Sequence, residues 1–294
     1  MALSGGSWIW SASLRYFFMC PLLLVIVGLR GNLRPLFVEM RTHLSIWLLW
    51  STIGFGLFYA PLTFAAAYSP GWLTAATWQV TIIAGTLLVP FLAFPAPSSH
   101  GISKVREKIP LKSLLLSLII LSGIAVMQVD HAKILPWQSA LSGTIPVLLA
   151  AFAYPLGNRQ MMKHCQQRLD VFQRVLGMTL ASLPFWLLLG FFGFTTSGLP
   201  NKGQLLQTFI VALSSGVIAT LLFFRATDMA RGDIRQLSAI EATQAGEVVF
   251  TVLGEILLLS SPLPSFTSWL GMGLVILGMI SHSYFSQKEQ STPS

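Results

Sequence analysis

Charge and cysteine are both scarce in this chain. Only 10% of its 294 residues are charged, and its two cysteines are Cys20 and Cys165. Two thiols exclude a disulfide-rich scaffold, and neither has the spacing of a metal ligand. The histidines His131 and His282 show no ligand spacing either, so we predict no metal site and no cofactor.

Motifs for ATP-driven or enzymatic work are also missing. No G-x-x-x-x-G-K-[ST] stretch occurs, which disfavours ATP-driven transport. The chain also has no pair of His or Asp residues at helical spacing that would indicate an enzyme. The polar stretches, such as the loop 96–110 and the tail 286–294, are too short to form a separate soluble domain.

Apolar residues dominate the rest of the chain, with 54% of residues hydrophobic and a mean hydropathy of +0.70. Apolar runs of about 20 residues recur, which is the length that crosses a bilayer core of about 30 Å as a helix. Lipid leaves no other pairing for the backbone, so we predict an all-α, polytopic membrane helix bundle. The nine predicted spans are 8–28, 44–68, 72–95, 111–129, 137–157, 171–194, 204–224, 237–259 and 265–285.

The net charge of +8 is distributed by loop. Fourteen Lys and Arg residues lie in alternate loops and the C-terminal tail, whereas the other loops carry only Lys133 and Lys202. The positive-inside rule then predicts a multi-pass protein of the plasma membrane with a cytoplasmic C-terminus and an external N-terminus. The expected partner is therefore the lipid bilayer and not nucleic acid. Five alternating charges between 225 and 235 are predicted to form a solvated cytoplasmic loop.

Short matches in the same order relate the two halves of the chain. They are Arg15-x₃-Met19 with Arg174-x₃-Met178, 76–79 (ATWQ) with 241–244 (EATQ), and 118–123 (LIILSG) with 274–278 (LVILG). Matched spans run in opposite directions under the loop-charge topology, which predicts an inverted five-helix repeat with boundaries at 1–130 and 131–294. The second repeat has five spans and the first has four. We therefore expect the first helix, the partner of 137–157, to be missing before Met1.

Three stretches carry a family resemblance: GGSWIWSASLRYFF at 5–18, YPLGNRQ at 154–160 and EATQAGE at 241–247. On them the chain resembles the drug/metabolite transporter superfamily, and within it the EamA-like multidrug resistance efflux branch. The resemblance implies ten helices in an inverted repeat and export of a small organic compound by alternating access, coupled to an ion gradient. The alternatives are a membrane-embedded enzyme and a non-transporting scaffold or inactive truncated product. Pairing of two copies as a homodimer would supply the helix contacts that the missing first helix leaves open.

Acidic residues in span 237–259 are the first candidates for a site. Glu241, Glu247 and Glu255 together cost about as much free energy in lipid as the apolar residues of the span return, so their side should face the bundle interior. Glu247 lies near the middle, where burial would let a proton compete with a cation for the carboxylate. Glu241, Glu247 and Gln244 are therefore predicted to couple substrate or proton movement, and the alternative is acids that only fix helix packing.

The remaining candidates are aromatic, amide and basic residues within spans. Trp78 and Gln79 lie two turns inside their span and are predicted to contact a cationic or planar cargo, as an alternative to an interfacial aromatic belt. Arg15 and Arg174 are cavity or gate candidates, unless they reach the headgroups by snorkelling. Pro155 would free backbone carbonyls near the end of span 137–157. Tyr154, Asn158 and Arg159 are therefore predicted to line a cavity or gate, and the alternative is an ordinary helix end.

We predict that Glu247→Gln abolishes proton-coupled transport while the protein stays inserted and folded, because the amide keeps the size of the side chain but cannot release a proton. Transport in proteoliposomes with an imposed pH gradient measures this. Undiminished transport by the variant would remove Glu247 from the mechanism.

Overall fold

The computed structural model describes residues 6–91, 93–98, 101–106, 109–129, 136–166, 168–231, 233–259 and 263–288. These residues form α-helices, with short π-helical and 3₁₀ turns and one β-hairpin. The predicted helical fold class is therefore confirmed. Both termini, whose sides of the membrane were predicted above, and His131 lie outside the described residues.

The elements follow one another in the order α1 Trp8–Leu29, α2 Leu33–Thr42, α3 Leu44–Tyr68, α4 Gly71–Trp78, α5 Thr81–Leu88, β1 Ala93–Ser98, β2 Gly101–Arg106, α6 Leu111–Met127, α7 Trp137–Cys165, α8 Val171–Ser197, α9 Lys202–Met229, α10 Ile234–Ala242, α11 Gly246–Leu259 and α12 Phe266–Lys288. α3 and α9 each contain a π-helical turn, at Thr52–Gly56 and Ala212–Ala219. The loop predicted at 96–110 takes part in the hairpin, in which β1 and β2 pair antiparallel.

Among the described residues, six helices are long and apolar enough to cross a membrane: α1, α3, α7, α8, α9 and α12. The other three predicted spans correspond to shorter helices. α6 has 17 residues, span 72–95 divides into α4 and α5, and span 237–259 divides into α10 and α11. A single continuous helix over 237–259 is wrong, because residues Thr243–Ala245 tighten into a 3₁₀ turn.

Two compact units divide the chain. Unit 1 comprises Met1–Pro70 and Ile145–Met229, and unit 2 comprises Gly71–Thr144 and Ala230–Ser294. Each unit takes helices from both predicted repeats, because sequence similarity defines a repeat whereas packing defines a unit. The repeat boundaries at 130 and 131 stay a prediction.

Unit 1 packs around large buried rings. Trp47 and Trp186 are fully buried, and Gly177 of α8 leaves the space that the Trp47 ring occupies. Gly54 of α3 and Gly157 of α7 bring two backbones together, since a Cβ at Gly54 would lie 3.1 Å from the Gly157 Cα. Small residues at such points let membrane helices approach closely enough for extensive van der Waals contact.

Polar caps fix the start of α8 against the end of α1. The Asp170 carboxylate accepts from the Gln173 backbone N–H, and the Gln173 side chain accepts from the Asp170 N–H, each at 2.8 Å. Arg30 donates to Asp170 at 3.1 Å, and the Gln173 amide donates to the Asn32 carbonyl at 2.8 Å. This capping box therefore also holds the turn between α1 and α2.

Unit 2 is built on a close contact between α6 and α12. A Cβ at Gly123 would lie 2.7 Å from the Gly271 carbonyl oxygen, so neither position has room for a side chain. A cluster of buried apolar side chains adjoins this contact and includes Ile82, Ile120, Ile124, Met127, Ala242, Ala245, Val248, Met272 and Val275. The cluster joins α6 and α12 to α5 and α10.

We expect Gly271→Leu to lower the free energy of unfolding by about 1–3 kcal/mol or more, because its side chain would overlap Met127 and the Gly123 carbonyl. Gly273→Leu, two residues along α12, is the matched control, because a Cβ there meets nothing within 4 Å. Thermal unfolding of the purified protein in detergent compares them. Equal losses for the two variants would contradict the close contact.

Candidate functional site

The predicted site residues fall into two sets, one in each compact unit. Unit 1 contains the predicted cavity or gate residues Arg15, Tyr154, Asn158, Arg159 and Arg174. Unit 2 contains the predicted coupling and cargo residues Trp78, Gln79, Glu241, Gln244 and Glu247.

Arg15 lies on α1 with only 5% of its surface exposed. Its guanidinium carbon lies 4.1 Å from the centroid of the Tyr59 ring on α3 and 6.0 Å from that of Tyr16. Gly216 of α9 makes room beside it, since a Cβ there would lie 3.6 Å from Arg15 Nε. The head group is therefore buried among helices of unit 1, and its cavity or gate role stays a prediction.

A frame of aromatic rings holds the tyrosines around Arg15. Tyr16 stacks on Trp186 with centroids 4.2 Å apart, and its hydroxyl donates to the Phe55 carbonyl at 3.3 Å. Tyr154 of α7 packs against Phe58 with centroids 4.6 Å apart. These rings are already held in place by packing, so they lose little further conformational entropy when they contact the Arg15 guanidinium.

Every described carboxylate of unit 1 pairs with a cation other than Arg15. Asp170 pairs with Arg30 at 3.1 Å, Glu39 with Arg168 at 3.1 Å, and Asp228 with Arg174. Within the described part of unit 1, Arg15 thus has aromatic contacts but no ion pair. An arginine near a bilayer centre costs about 2.5–3.5 kcal/mol, and a desolvated cation–π contact offsets about 2 kcal/mol of it.

Arg174 has the opposite environment, although the sequence matches it with Arg15. It is 1% exposed, its Nη1 donates to Asp228 Oδ1, and its Nη2 donates to the Phe224 carbonyl at 3.5 Å. The prediction of a solvated loop over 225–235 is wrong for its first residues, because α9 continues to Met229 and carries Asp228 to Arg174. Sequence reasoning did not predict this ion pair, and the cavity or gate role of Arg174 stays a prediction.

Tyr154, Asn158 and Arg159 lie within α7 and are buried. The alternative of a helix end near 157 is wrong, because α7 continues through Pro155 to Cys165. Asn158 Nδ2 donates to Thr227 Oγ1 at 3.4 Å, which hydrogen-bonds α7 to α9. Tyr154 is the member of this set that the structure brings to the aromatic frame of Arg15.

Trp78 and Gln79 of unit 2 lie at the break between α4 and α5. The Gln79 and Val80 backbone N–H groups bond to the carbonyls three residues earlier, at 3.2 and 3.0 Å. Gln79 is fully buried, and its Nε2 donates to the Ala75 carbonyl at 3.3 Å. Its Oε1 accepts no hydrogen bond from the described residues. Gln244 lies in the 3₁₀ turn between α10 and α11 and is half-buried.

Glu241 and Glu247 occupy different environments. Glu241 is 3% exposed, and its carboxylate lies over Gly85 of α5, in space that any larger residue there would fill. Glu247 lies in the first turn of α11 with part of its side chain accessible, and its coupling role stays a prediction. The 3₁₀ turn at Thr243–Ala245 separates α10 from α11, so Glu241 and Glu247 lie on different helices. The side chain of Glu255 lies outside the described residues.

A cavity of about 790 Å³ opens at one end of unit 1. Its walls include Trp8, Trp10 and Phe64, and polar atoms of Asn201 and Gln204. Gln204 Nε2 donates to the Ser7 carbonyl at 2.7 Å and to Ser11 Oγ at 2.9 Å. None of the predicted site residues lines this cavity.

Comparisons with known proteins agree with the helical fold. Residues 1–288 match the EmrE family, described as "Putative multidrug resistance efflux transporter". The chain is 55% identical over 287 residues to the uncharacterized protein YjlA of Bacillus subtilis, which covers 98% of this chain and 89% of YjlA. A crystal structure with a TM-score of 0.72 covers 97% of this chain and 91% of its own, at 15% identity, and so supports the fold alone.

A second relative is an uncharacterized 42.1 kDa protein of Shouchella clausii, encoded in the 3' region of an intracellular alkaline protease. It is 48% identical over 247 residues, which is 84% of this chain. The chain spans 64% of the length of that relative.

We expect Asp228→Ala to lower the free energy of unfolding by about 3–5 kcal/mol, because it leaves the buried Arg174 charge without its carboxylate. The double variant Arg174→Met with Asp228→Leu removes both charges and should recover most of that loss. Thermal unfolding in detergent compares the two. A single variant as stable as the double one would contradict the structural ion pair.

Proposed function

We propose a transport function for this chain, which belongs to the EmrE family of multidrug resistance efflux transporters. It exports a small organic compound, a drug or a metabolite, by alternating access coupled to an ion gradient. Family membership favours a transporter over an enzyme. The six long apolar helices support a multi-pass membrane protein, which we place in the plasma membrane with a cytoplasmic C-terminus.

Nine spans in an inverted repeat are part of this proposal, and irregular helical turns support them. α3 and α9 are matched spans in the proposed repeat, and both contain a π-helical turn. Such turns are rare and frequently mark functional sites. Their occurrence in both members of a matched pair favours a common origin.

The broken helices support the repeat independently. The stretches 76–79 and 241–244 match in sequence, and the helix breaks at or directly after each of them. Broken helices at matched positions are typical of transporter binding sites, because their freed backbone groups line a cavity. We propose that Gln79, Trp78 and Gln244, at these breaks, form a separate contact site within unit 2.

Each compact unit contains whole pairs of matched spans. Unit 1 contains α1 with α8 and α3 with α9, and unit 2 contains α4 and α5 with α10 and α11, and α6 with α12. In an inverted repeat the two members of each pair exchange conformations as the site turns from one side of the membrane to the other. This pairing supports alternating access as the mechanism.

One observation carries the proposed binding site, namely the buried Arg15 guanidinium that has no carboxylate partner in the described part of unit 1. An anionic group on the cargo would supply the missing charge and accept from the guanidinium N–H groups, which form a planar fork that matches carboxylates. The cargo that we propose therefore carries a carboxylate or a similar planar anion beside an apolar part, which Tyr59 and its neighbouring rings would contact.

Ion coupling is assigned in this proposal to the acids of unit 2. Glu241 is buried in α10, and we assign proton exchange to its carboxyl group. Glu247 lies in the first turn of α11, and we assign it a part in ion exchange as well. Gly85 leaves the space that the Glu241 carboxylate occupies.

Benzoate and benzamidinium form a matched pair of probes, because they share a ring and a planar head group but carry opposite charges. We expect benzoate to raise the Tm of the detergent-purified protein, because a ligand at a hundredfold excess over its Kd stabilises the folded state by about 2.7 kcal/mol. Benzamidinium should leave the Tm unchanged. Arg15→Gln should lose the benzoate response, whereas Arg15→Lys should keep part of it.

Stabilisation by benzamidinium alone would overturn the anionic cargo. Transport itself is tested separately, by benzoate accumulation in proteoliposomes against its concentration gradient under an imposed pH gradient. An accumulation that requires no ion gradient would contradict coupling.

A further inference from the structure

We propose that Glu39, His43 and His164 form a binding site for a divalent transition metal, with Zn²⁺ as the favoured ion. Glu39 lies on α2, His43 follows that helix directly, and His164 lies in the last turn of α7. All three belong to unit 1. The site is distinct from the Arg15 site and does not depend on the proposed transport function.

The distances among the three side chains fit a tetrahedral metal. Glu39 Oε1 lies 3.1 Å from His43 Nδ1 and 3.2 Å from His164 Nε2, and all three atoms lie within 4.8 Å of one another. Zinc bonds to nitrogen and oxygen at about 2.0–2.2 Å, so two ligand atoms of a tetrahedral site lie about 3.4 Å apart. Small movements of the two imidazoles would complete the geometry.

The burial and convergence of these atoms are the second observation. Glu39 Oε1, His43 Nδ1 and His164 Nε2 are each buried from solvent, and both imidazole nitrogens lie beside the same carboxylate oxygen. Without a metal, a proton on each imidazole would join it to that oxygen. Two imidazole nitrogens and a carboxylate oxygen that are buried and converge on one point are also a ligand set that Zn²⁺ takes.

Arg168 orients the carboxylate from its other side. Its Nη1 donates to Glu39 Oε2 at 3.3 Å, and its Nη2 donates to the His164 carbonyl at 2.8 Å and lies 3.1 Å from Glu39 Oε1. A ligand carboxylate is commonly positioned in this way by a partner on its free oxygen. Binding of the metal requires Nη2 to move off Oε1, so the competing state is the Glu39–Arg168 ion pair alone.

A metal at this site would join α2 to α7. α2 is largely exposed, and Leu36 is its one buried residue among those described, so few apolar contacts hold it. His43 lies between α2 and α3, and its ring packs edge to face against His164 with centroids 4.9 Å apart. The metal would therefore stabilise the packing of this end of unit 1, which loop charge predicts to face the cytoplasm.

The experiment uses the full-length protein in detergent, stripped with a chelator and titrated with Zn²⁺. Mass spectrometry of bound metal should find one zinc per chain, and zinc should raise the Tm. Co²⁺ should give the intense visible absorption of tetrahedral coordination. Glu39→Gln and His164→Gln should each weaken zinc binding by more than about tenfold. His282→Gln changes a buried histidine of unit 2 and should bind zinc as the wild type does.

The proposal is overturned if wild-type protein binds no zinc saturably, which would leave the cluster as the Glu39–Arg168 ion pair. It is also overturned if Glu39→Gln and His164→Gln, once circular dichroism shows them folded, keep wild-type affinity. The Co²⁺ spectrum is measured on wild-type protein and so tests the ligand geometry even where a variant fails to fold.

Discussion

A charge buried among membrane helices must be compensated inside the protein, because hydrocarbon offers it neither water nor counter-ions. Arg174 meets this requirement with the Asp228 carboxylate on α9. Arg15 meets it only in part, with the face of Tyr59 and the rings around it. Two arginines at matched positions in α1 and α8 therefore have different capacities. Within the described part of unit 1, one completes an ion pair and the other has aromatic contacts and no ion pair.

The glycine positions determine which helices can pack closely beside these buried charges. Lipid offers no hydrophobic driving force between helices, so close backbone contact has to supply it. Gly54 against Gly157 holds α3 to α7, next to the tyrosines that face Arg15. In unit 2, Gly123 against Gly271 holds α6 to α12, and Gly85 makes room for the Glu241 carboxylate. Each compact unit thus joins a tight glycine contact to a buried ionisable group.

Sequence patterns located most of the helices and were least accurate where a helix changes its path. The long spans could be predicted because apolar length is a local property. The 3₁₀ turn at Thr243–Ala245 could not, because the hydropathy of a whole span does not report the backbone hydrogen bonding of three residues within it. The extension of α7 past Pro155 was missed because proline and glycine usually end a helix, whereas here contacts with α3 and α9 hold it together.

The sequence by itself determined that this is a helical membrane protein of a transporter family, because hydropathy, loop charge and family motifs are all written along the chain. Only the tertiary structure decided which charges are paired. Arg174 and Asp228 are 54 residues apart in the sequence. His164, on α7, contacts Glu39 of α2 and His43, which follows α2. Their energies depend on distance in a medium of low dielectric constant, so the fold and not the order of residues decides which of them pair.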